Sequence, residues 1–445
     1  MGQPTTEQAL MWPKLTSLRA KLAQKAKQEP KFRFYTLYGL LYRVDILEIA
    51  WQQVWKNGGA AGVDGITIDA IRQANGGVDR LLREIARELQ ERTYTPKPVR
   101  RVYIPRPDGK LRPLGIPTVK DRIVQAAVAL ILEPIFDSDF LDCSYGFRPG
   151  RSAHQAIDKI QEYVQKGYQE VYDADLQKCF DTIPHDNLMK CLEKRIADRG
   201  VLKLIKSWLR SPIVEKTEDG KTRIHSADQG TPQGGVISPL LANIYLHWFD
   251  KMISRTSAYA QGAIRLVRYA DDFIVMARSM TQEIQQHIED TIEKWMKLKI
   301  NREKTKLVDL KRDGGLISFL GFSFRYDRSR YHRSRKYLNI FPKQQAMVRA
   351  REKIRALTDK AQNWKPVSVV IQELNQFLTG WRQYFDKGYP SKAFSTLNHF
   401  VGFRLYRHLL RRSQRRKYNT GEKTWYQAFT KMGLVRLRRR CKATA

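Results

Sequence analysis

The chain has 445 residues, 42% of them hydrophobic, and carries 80 Lys and Arg against 45 Asp and Glu, a formal net charge of +35. That length supports two or three domains with a sizeable core, and without an apolar run near about 18 residues or an apolar leader, neither a membrane span nor a secretory signal is expected. So large a positive excess repels itself in a compact fold and calls for a polyanionic partner; recurring along the chain beside aromatics, it fits a long nucleic-acid track better than a membrane or an acidic protein.

Residues 1–30 read as a polar, Lys-rich helix or arm. From Lys31 to Trp55 the apolar positions Phe34, Leu37, Leu40, Leu41, Val44, Leu47 and Trp51 keep helical spacing. The glycine-rich stretch 57–65 breaks that pattern. It lacks the Gly-Lys-Ser/Thr ending of a phosphate loop and reads as a connector. Helix resumes over 78–92. Val99 to Pro105 then alternates as a strand, Pro107-Asp108-Gly109 turns, and Lys110 to Ile116 returns. Between Lys97 and Arg122 stand eight basic and two acidic residues. This suits a hairpin over a triphosphate or template at least as well as a solvated edge.

A helix is expected over 119–133, a short strand over 170–176, and a helix over 186–210. Leu266 to Ala277 reads as strand–turn–strand, 281–298 as helix, and 316–325 and 336–341 as strands. Beyond Pro342 the pattern is helical. Met347, Ala350, Ile354 and Leu357 form one stripe; Val370, Leu374, Phe377, Trp381 and Tyr384 a second; Leu397, Val401, Leu405 and Leu409 a third. Three such helices make a small bundle. From Val401 to Ala445 there are fourteen Lys or Arg and one acid, interleaved with Phe403, Tyr406, Tyr418, Trp425, Tyr426 and Phe429, a composition suited to gripping nucleic acid. Cys143, Cys179, Cys191 and Cys441 show no Cys-x-x-Cys spacing, which argues for a reducing compartment and against a zinc site or disulfide framework.

Chemistry concentrates in three strings. Tyr269-Ala270-Asp271-Asp272 puts adjacent carboxylates at the tip of an apolar hairpin, an unfavourable arrangement unless cations sit among them. A simple polar turn is the competing reading. Val171-Tyr172-Asp173-Ala174-Asp175-Leu176 reads as a strand ending in acids, and together the two strings offer the hard oxygen donors of a two-metal site for Mg²⁺. Between them, Gln229-Gly230-Thr231-Pro232-Gln233-Gly234-Gly235 is a turn that lets backbone approach a ligand closely, and Ser238-Pro239 starts a helix.

In order and spacing, these strings resemble group II intron reverse transcriptases, from about Lys31 onward. Residues 104–117 look like the fingers hairpin of that family. Tyr145-Gly146-Phe147-Arg148-Pro149-Gly150-Arg151-Ser152 is a highly specific family string. Phe319-Leu320-Gly321-Phe322 resembles the primer grip, and residues 378–385 resemble the maturase or thumb helix. The resemblance implies an α/β right-hand polymerase, fingers and palm, with an appended α-helical thumb/maturase bundle. It implies Asp175, Asp271 and Asp272 as catalytic metal ligands for two Mg²⁺ ions, for which Mn²⁺ can substitute, with Asp173 a structural neighbour. Arg106 and Arg112 would hold the triphosphate, Gln233 would contact the incoming nucleotide, and Phe180 would lie under the deoxyribose and exclude a 2′-hydroxyl. Lys304, in Asn301-Arg302-Glu303-Lys304-Thr305, would protonate pyrophosphate. Arg148, Arg151, Trp381, Arg404, Arg411, Arg412, Arg415 and Arg416 would touch nucleic acid.

The implied division is 1–95 N-terminal extension and start of fingers, 96–335 fingers and palm, 336–412 thumb, and 413–445 basic tail. The implied partners are an RNA template of group II intron type, a DNA primer or target, and dNTPs, with no membrane and a cytoplasmic or organellar setting. With no Cys/His-rich segment before Ala445, target-strand cleavage by this protein is not expected, and priming at a pre-existing end is. Two alternatives share the palm: a domesticated reverse transcriptase in CRISPR spacer acquisition or phage defence, and an RNA-binding maturase with dispensable polymerase activity. A damaged acid would favour the second, and all three acids are intact.

Overall fold

A computed structural model describes residues 6–105, 109, 111–216, 219, 221–226, 228–231, 234–329, 332, 334–412 and 425–439, with side chains from Pro13 onward and those of Trp425 and Tyr426 excepted. The chain divides into two compact units: Met1–Ala156 with Ala174–Lys306, and Ile157–Asp173 with Leu307–Ala445.

The first unit is organised around helix Val119–Asp137, on which fifteen residues are buried. It starts at Thr118, whose hydroxyl accepts from the Asp121 N–H. Helix Thr6–Gln28 lies along it, Arg19 donating to the Leu130 carbonyl at 2.7 Å and pairing with Glu133. The helical spacing expected from Lys31 to Trp55 resolves into Tyr38–Leu41 and Val44–Asn57, with residues 31–37 outside any helix. The expected 186–210 helix likewise splits into His185–Glu193 and Arg199–Leu209.

One junction explains both breaks. The Phe34 N–H donates to the Arg195 carbonyl and the Phe34 carbonyl accepts from the Ala197 N–H, both at 2.7 Å. The Asp198 carboxylate accepts from Leu37 and Tyr38 N–H at 2.8 Å each and from Gly200 N–H at 2.9 Å, capping two helices at once. Tertiary pairing thus overrides local periodicity.

The basic hairpin forms as expected, Val99–Pro105 against Leu111–Ile116 in the register Arg100↔Ile116 to Pro105↔Leu111. Two further strands extend it: Ile213–Lys216 runs parallel to the first, and Thr222–His225 pairs antiparallel with Ile213–Lys216. The apolar hairpin Ile264–Tyr269/Asp272–Ala277 is also as read. Helix Ser238–Ser254, opened by Pro239, is buried along most of its length. The 281–298 helix is Gln282–Asp290 followed by a π-turn, Thr291–Trp295.

On helix Ser238–Ser254, His247 is buried against Phe140, ring centroids 5.3 Å apart, and neither ring nitrogen has a hydrogen-bond partner among the described residues. Burial, reinforced by the positive charge of Lys251, pushes its pKa down to about 3. The unfolded chain takes up this proton near pH 6.5 while the folded one does not. The histidine's contribution to stability is therefore present above pH 6.5 and lost as pH falls toward 3. His247→Leu should flatten the decline of the melting temperature across that interval, and parallel melting curves for variant and wild type would refute this.

The second unit contains a three-stranded antiparallel sheet of Lys336–Pro342, Phe322–Arg328 and Ile317–Phe319. The single strand expected over 316–325 is interrupted by a tight turn at Leu320 and Gly321, both at positive φ (47° and 82°). The helices Gln344–Leu357, Val367–Phe385 and Ser391–Arg412 follow, and then the short helix Trp425–Lys431. The seam of the second helix is Val370, Leu374, Leu378, Trp381 and Phe385. Phe377 and Tyr384 are only half-buried: the expected stripe holds at Val370, Leu374 and Trp381, and its other two positions fall one residue later, at Leu378 and Phe385. Tyr384 instead donates its hydroxyl to the Leu320 carbonyl at 2.8 Å. No helix among the described residues is long and apolar enough to cross a membrane.

Candidate active site

Asp175 follows directly on strand Glu170–Ala174 and is fixed from the chain's later half. Its carbonyl accepts from the Asn301 N–H at 2.7 Å, and its Oδ2 accepts from Asn301 Nδ2 at 3.2 Å. The Lys304 ammonium lies 3.2 Å from the same oxygen. The residues 301–305 picked out by their sequence therefore do meet Asp175.

Asp271 and Asp272 occupy the tip of the apolar hairpin, where Ala270 turns the chain at φ 57°. What holds this turn was not evident beforehand. Arg268, fully buried one residue before Tyr269, makes a two-pronged ion pair with Asp250 at 2.7 and 2.6 Å. Its third nitrogen donates to the Ala270 carbonyl and to Asn243 Oδ1, both at 2.9 Å. Asn243 Nδ2 in turn donates to the Gly146 carbonyl at 2.8 Å.

Gly146 has no alternative at its position, since a Cβ there would come within 2.4 Å of the Ala270 nitrogen. Residues 143–145 complete the support as an added edge on the hairpin, Arg268 N–H to the Cys143 carbonyl and Tyr145 N–H to the Arg268 carbonyl. The Tyr145-Gly146 string thus supports the Asp271 turn. A signal for the network did exist: Asn243 and Asp250, seven residues apart, put polar side chains on one face of a helix whose neighbouring positions are mostly apolar.

The wall of the site comes from two further pieces. Phe180, half-buried in the helical turn Cys179–Thr182, accepts through its carbonyl from the Thr231 N–H at 2.6 Å. Gly230 packs so tightly that a Cβ would sit 2.6 Å from the Asp181 backbone. At the far side of the same loop, Gly234 abuts the Gly115 carbonyl, and the Val236 N–H donates to Gln125 Oε1 at 2.9 Å. Gln233 itself, like Arg106, Arg415 and Arg416, lies outside the described residues.

Electrostatics draws these pieces together. Burial pushes the Asp271 carboxyl above the ordinary carboxylate range, and the Asp175 charge adds to that, while Arg112 and Arg268 oppose it. Burial likewise raises the Cys179 thiol, with the Asp271 charge contributing. Asp271 is therefore the common point, within reach of the charges of Asp175 and Arg112 and acting in turn on Cys179. Among the described residues no three His, Cys, Asp or Glu form a ready-made metal cage. The donors are nonetheless hard carboxylate oxygens, and a desolvated Asp271 beside a second carboxylate is an arrangement that a divalent cation relieves.

The remaining sequence candidates divide. Arg148 is a structural residue: its guanidinium pairs with Asp137 at 2.6 Å and donates to the Leu141, Ser144 and Asp137 carbonyls. Its donors are spent inside the fold, which removes it from any nucleic-acid track. Arg151 is partly exposed and pairs with Asp142. Trp381 is buried against Phe385 and Phe394 and belongs to the thumb core, not to a binding face. Phe319 and Phe322 are buried, which leaves the Leu320-Gly321 turn as the accessible part of its string. Arg404 donates to Thr358 Oγ1, Arg412 to the Lys365 carbonyl, and Arg411 is exposed.

The model of the reverse transcriptase (RNA-dependent DNA polymerase) family matches residues 104–339, more than half of the chain, and that of the group II intron maturase-specific domain matches residues 347–426. The chain belongs to the reverse transcriptase family, as an RNA-directed DNA polymerase and maturase of group II intron type. It is 34% identical over 369 residues to Protein YkfC of Escherichia coli K12, covering 75% of this chain and 93% of that protein. Against the group II intron-encoded protein LtrA of Lactococcus lactis subsp. cremoris it is 31% identical over 357 residues, 66% of this chain and 57% of LtrA, so it spans little more than half of that relative. A partial Cas6-RT-Cas1–Cas2 complex is 26% identical over 59% of this chain and 41% of its own, at a TM-score of 0.34. The family works with divalent metal ions, and its two domains imply binding of RNA and DNA.

Proposed function

We propose that the chain copies an RNA template into cDNA from a DNA primer end and binds a group II intron RNA to assist its splicing and mobility. The observation that carries this reading is that Asp175 at the end of its strand and Asp271 at the hairpin tip lie close enough for the Asp175 charge to act on Asp271, with the Arg112 charge opposing it. When bound, two Mg²⁺ ions held by Asp175, Asp271 and Asp272 would ease deprotonation of the primer 3′-hydroxyl and neutralise charge on the leaving pyrophosphate.

The 3′-oxygen bonds to the α-phosphorus of a dNTP as the bond to the β-phosphate bridging oxygen breaks. Arg112, with Arg106, holds the triphosphate, and Gln233 contacts the incoming nucleotide. Lys304, 3.2 Å from Asp175 at rest, donates a proton to the departing pyrophosphate. The Leu320-Gly321 turn, braced through the Tyr384 hydroxyl and the Lys343 N–H, serves as primer grip. In this assignment fingers and palm run to about residue 335 and the thumb from 336 to 412.

The test is extension of a labelled DNA primer on an RNA template with four dNTPs and Mg²⁺. No template-directed product would end the proposal. Phe180 supplies a finer test. Held beside Thr231 at the loop wall, it occupies the space that a 2′-oxygen would need. Phe180→Val should raise the ratio of rNTP to dNTP incorporation by at least about tenfold, the ~1.4 kcal/mol scale of one lost steric contact. An unchanged ratio would remove Phe180 from the sugar site.

A further inference from the structure

The end of the described chain is not a loose tail. Segment 433–437 turns off the short helix at Gly433, has no regular secondary structure beyond it, and lies in two side-chain clasps. Asn375, on helix Val367–Phe385, donates to the Gly433 carbonyl and accepts from the Val435 N–H, both at 2.8 Å. Asn398, on helix Ser391–Arg412, does the same to Leu437, donating to its carbonyl and accepting from its N–H, both at 3.0 Å. Each amide thus copies the two-point pairing of a neighbouring β-strand. Leu434 and Leu437 are buried beneath, beside Phe429 and Ala428.

With the leucines pinned inward, Arg436, Arg438 and Arg439 are exposed. They ring a cavity of about 550 Å³, whose helix-side wall includes Ser395 and His399 and whose floor is the buried Phe394. No Asp or Glu is among the described residues lining it. At its rim Arg439 lies 5.8 Å from the ring centre of Tyr389, which is half exposed. Three guanidinium groups on a fixed backbone, hydroxyl and imidazole donors opposite, and an aromatic at the edge are the components of a phosphodiester site with a stacking platform.

We propose that this pocket binds the sugar–phosphate backbone of a nucleic-acid strand, and that the two asparagine clasps hold its arginines in place. The site lies wholly in the second unit and does not depend on the chemistry assigned to the palm. Arg436→Gln/Arg438→Gln/Arg439→Gln should weaken binding and reduce the slope of log K against log salt by roughly two to three, at 0.7–0.9 per lost phosphate contact. Asn375→Ala/Asn398→Ala leaves the charge untouched and releases the segment. It should lower affinity about fivefold or more, because the arginines must then be ordered on binding. Arg438→Glu, a single exposed change, keeps the test readable should the clasp variant lose its thumb.

The ligands are a single-stranded RNA, the DNA of the same sequence and an RNA–DNA hybrid, which separate the possible sources of the phosphates. Extension by the same full-length proteins at saturating concentration is read alongside and should survive in every variant. A wild type that fails to extend would count against the polymerase reading and leave the binding result standing. Salt slopes and affinities of the triple variant equal to wild type on all three ligands would overturn the site. Equal affinity of the clasp variant and wild type would overturn the preordering.

Discussion

Asp271→Ala should slow single-turnover primer extension by about 10³-fold or more, the consequence of losing roughly 4 kcal/mol of transition-state stabilisation with one metal ligand. RNA affinity should stay within about twofold, because affinity resides in phosphate contacts that this acid does not make. The variant should also fold normally. Burial holds the Asp271 carboxyl above the usual range, so its ionised form is a cost to the folded state near neutral pH. Removing it relieves that cost. Extension kinetics, RNA binding by anisotropy and a thermal melt test the three statements together. Extension at the wild-type rate would exclude Asp271 from the metal site, and a parallel loss of RNA binding would mean that the substitution had damaged the fold.

Arg268→Met should cost about 3–5 kcal/mol of stability, since it strands the Asp250 carboxylate unpaired in the core. The second change, Asp250→Leu, removes the stranded charge and should return much of that stability, as apolar replacements of buried pairs do. It should not return activity. The bond from Arg268 to the Ala270 carbonyl, which sets the turn carrying Asp271, has no substitute in the double variant. Urea unfolding and extension rate on the single and double variants separate the two contributions. Recovery of full activity in the double variant would show that the network serves the fold and does not position the turn.

The palm was legible because its chemistry is written in consecutive residues. Asp175, Asp271 and Asp272 stand in strings whose local structure follows from hydrophobic alternation, and the hairpin at 264–277 formed as read. The thumb was legible through helical periodicity, though two seam positions fall to Leu378 and Phe385 in place of Phe377 and Tyr384, the latter bonding Leu320 instead. Three things could not be seen in advance, all for one reason: each depends on partners distant in the sequence. Phe34 leaves helix because residues 195–198 claim its backbone, strand Ile213–Lys216 exists because Val99–Pro105 offers it an edge, and Arg268 is buried because Asp250 and Asn243 await it. Arg148 was misread in the other direction, since a basic residue in a family string gives no hint that Asp137 and three carbonyls absorb it.

The anchoring of Asp175 from residues 301–305 also has a consequence for biosynthesis. A ribosome delivers Asp175 well before Asn301 and Lys304 exist, and several more residues must clear the exit tunnel before their hydrogen bonds to it can close. Until then the carboxylate has neither its backbone tether nor its lysine counter-charge. A nascent chain therefore carries the proposed catalytic centre in incomplete form until residues 301–304 have emerged, although the RNA being translated is the nearest template. Competence arrives late, when the first unit is nearly finished.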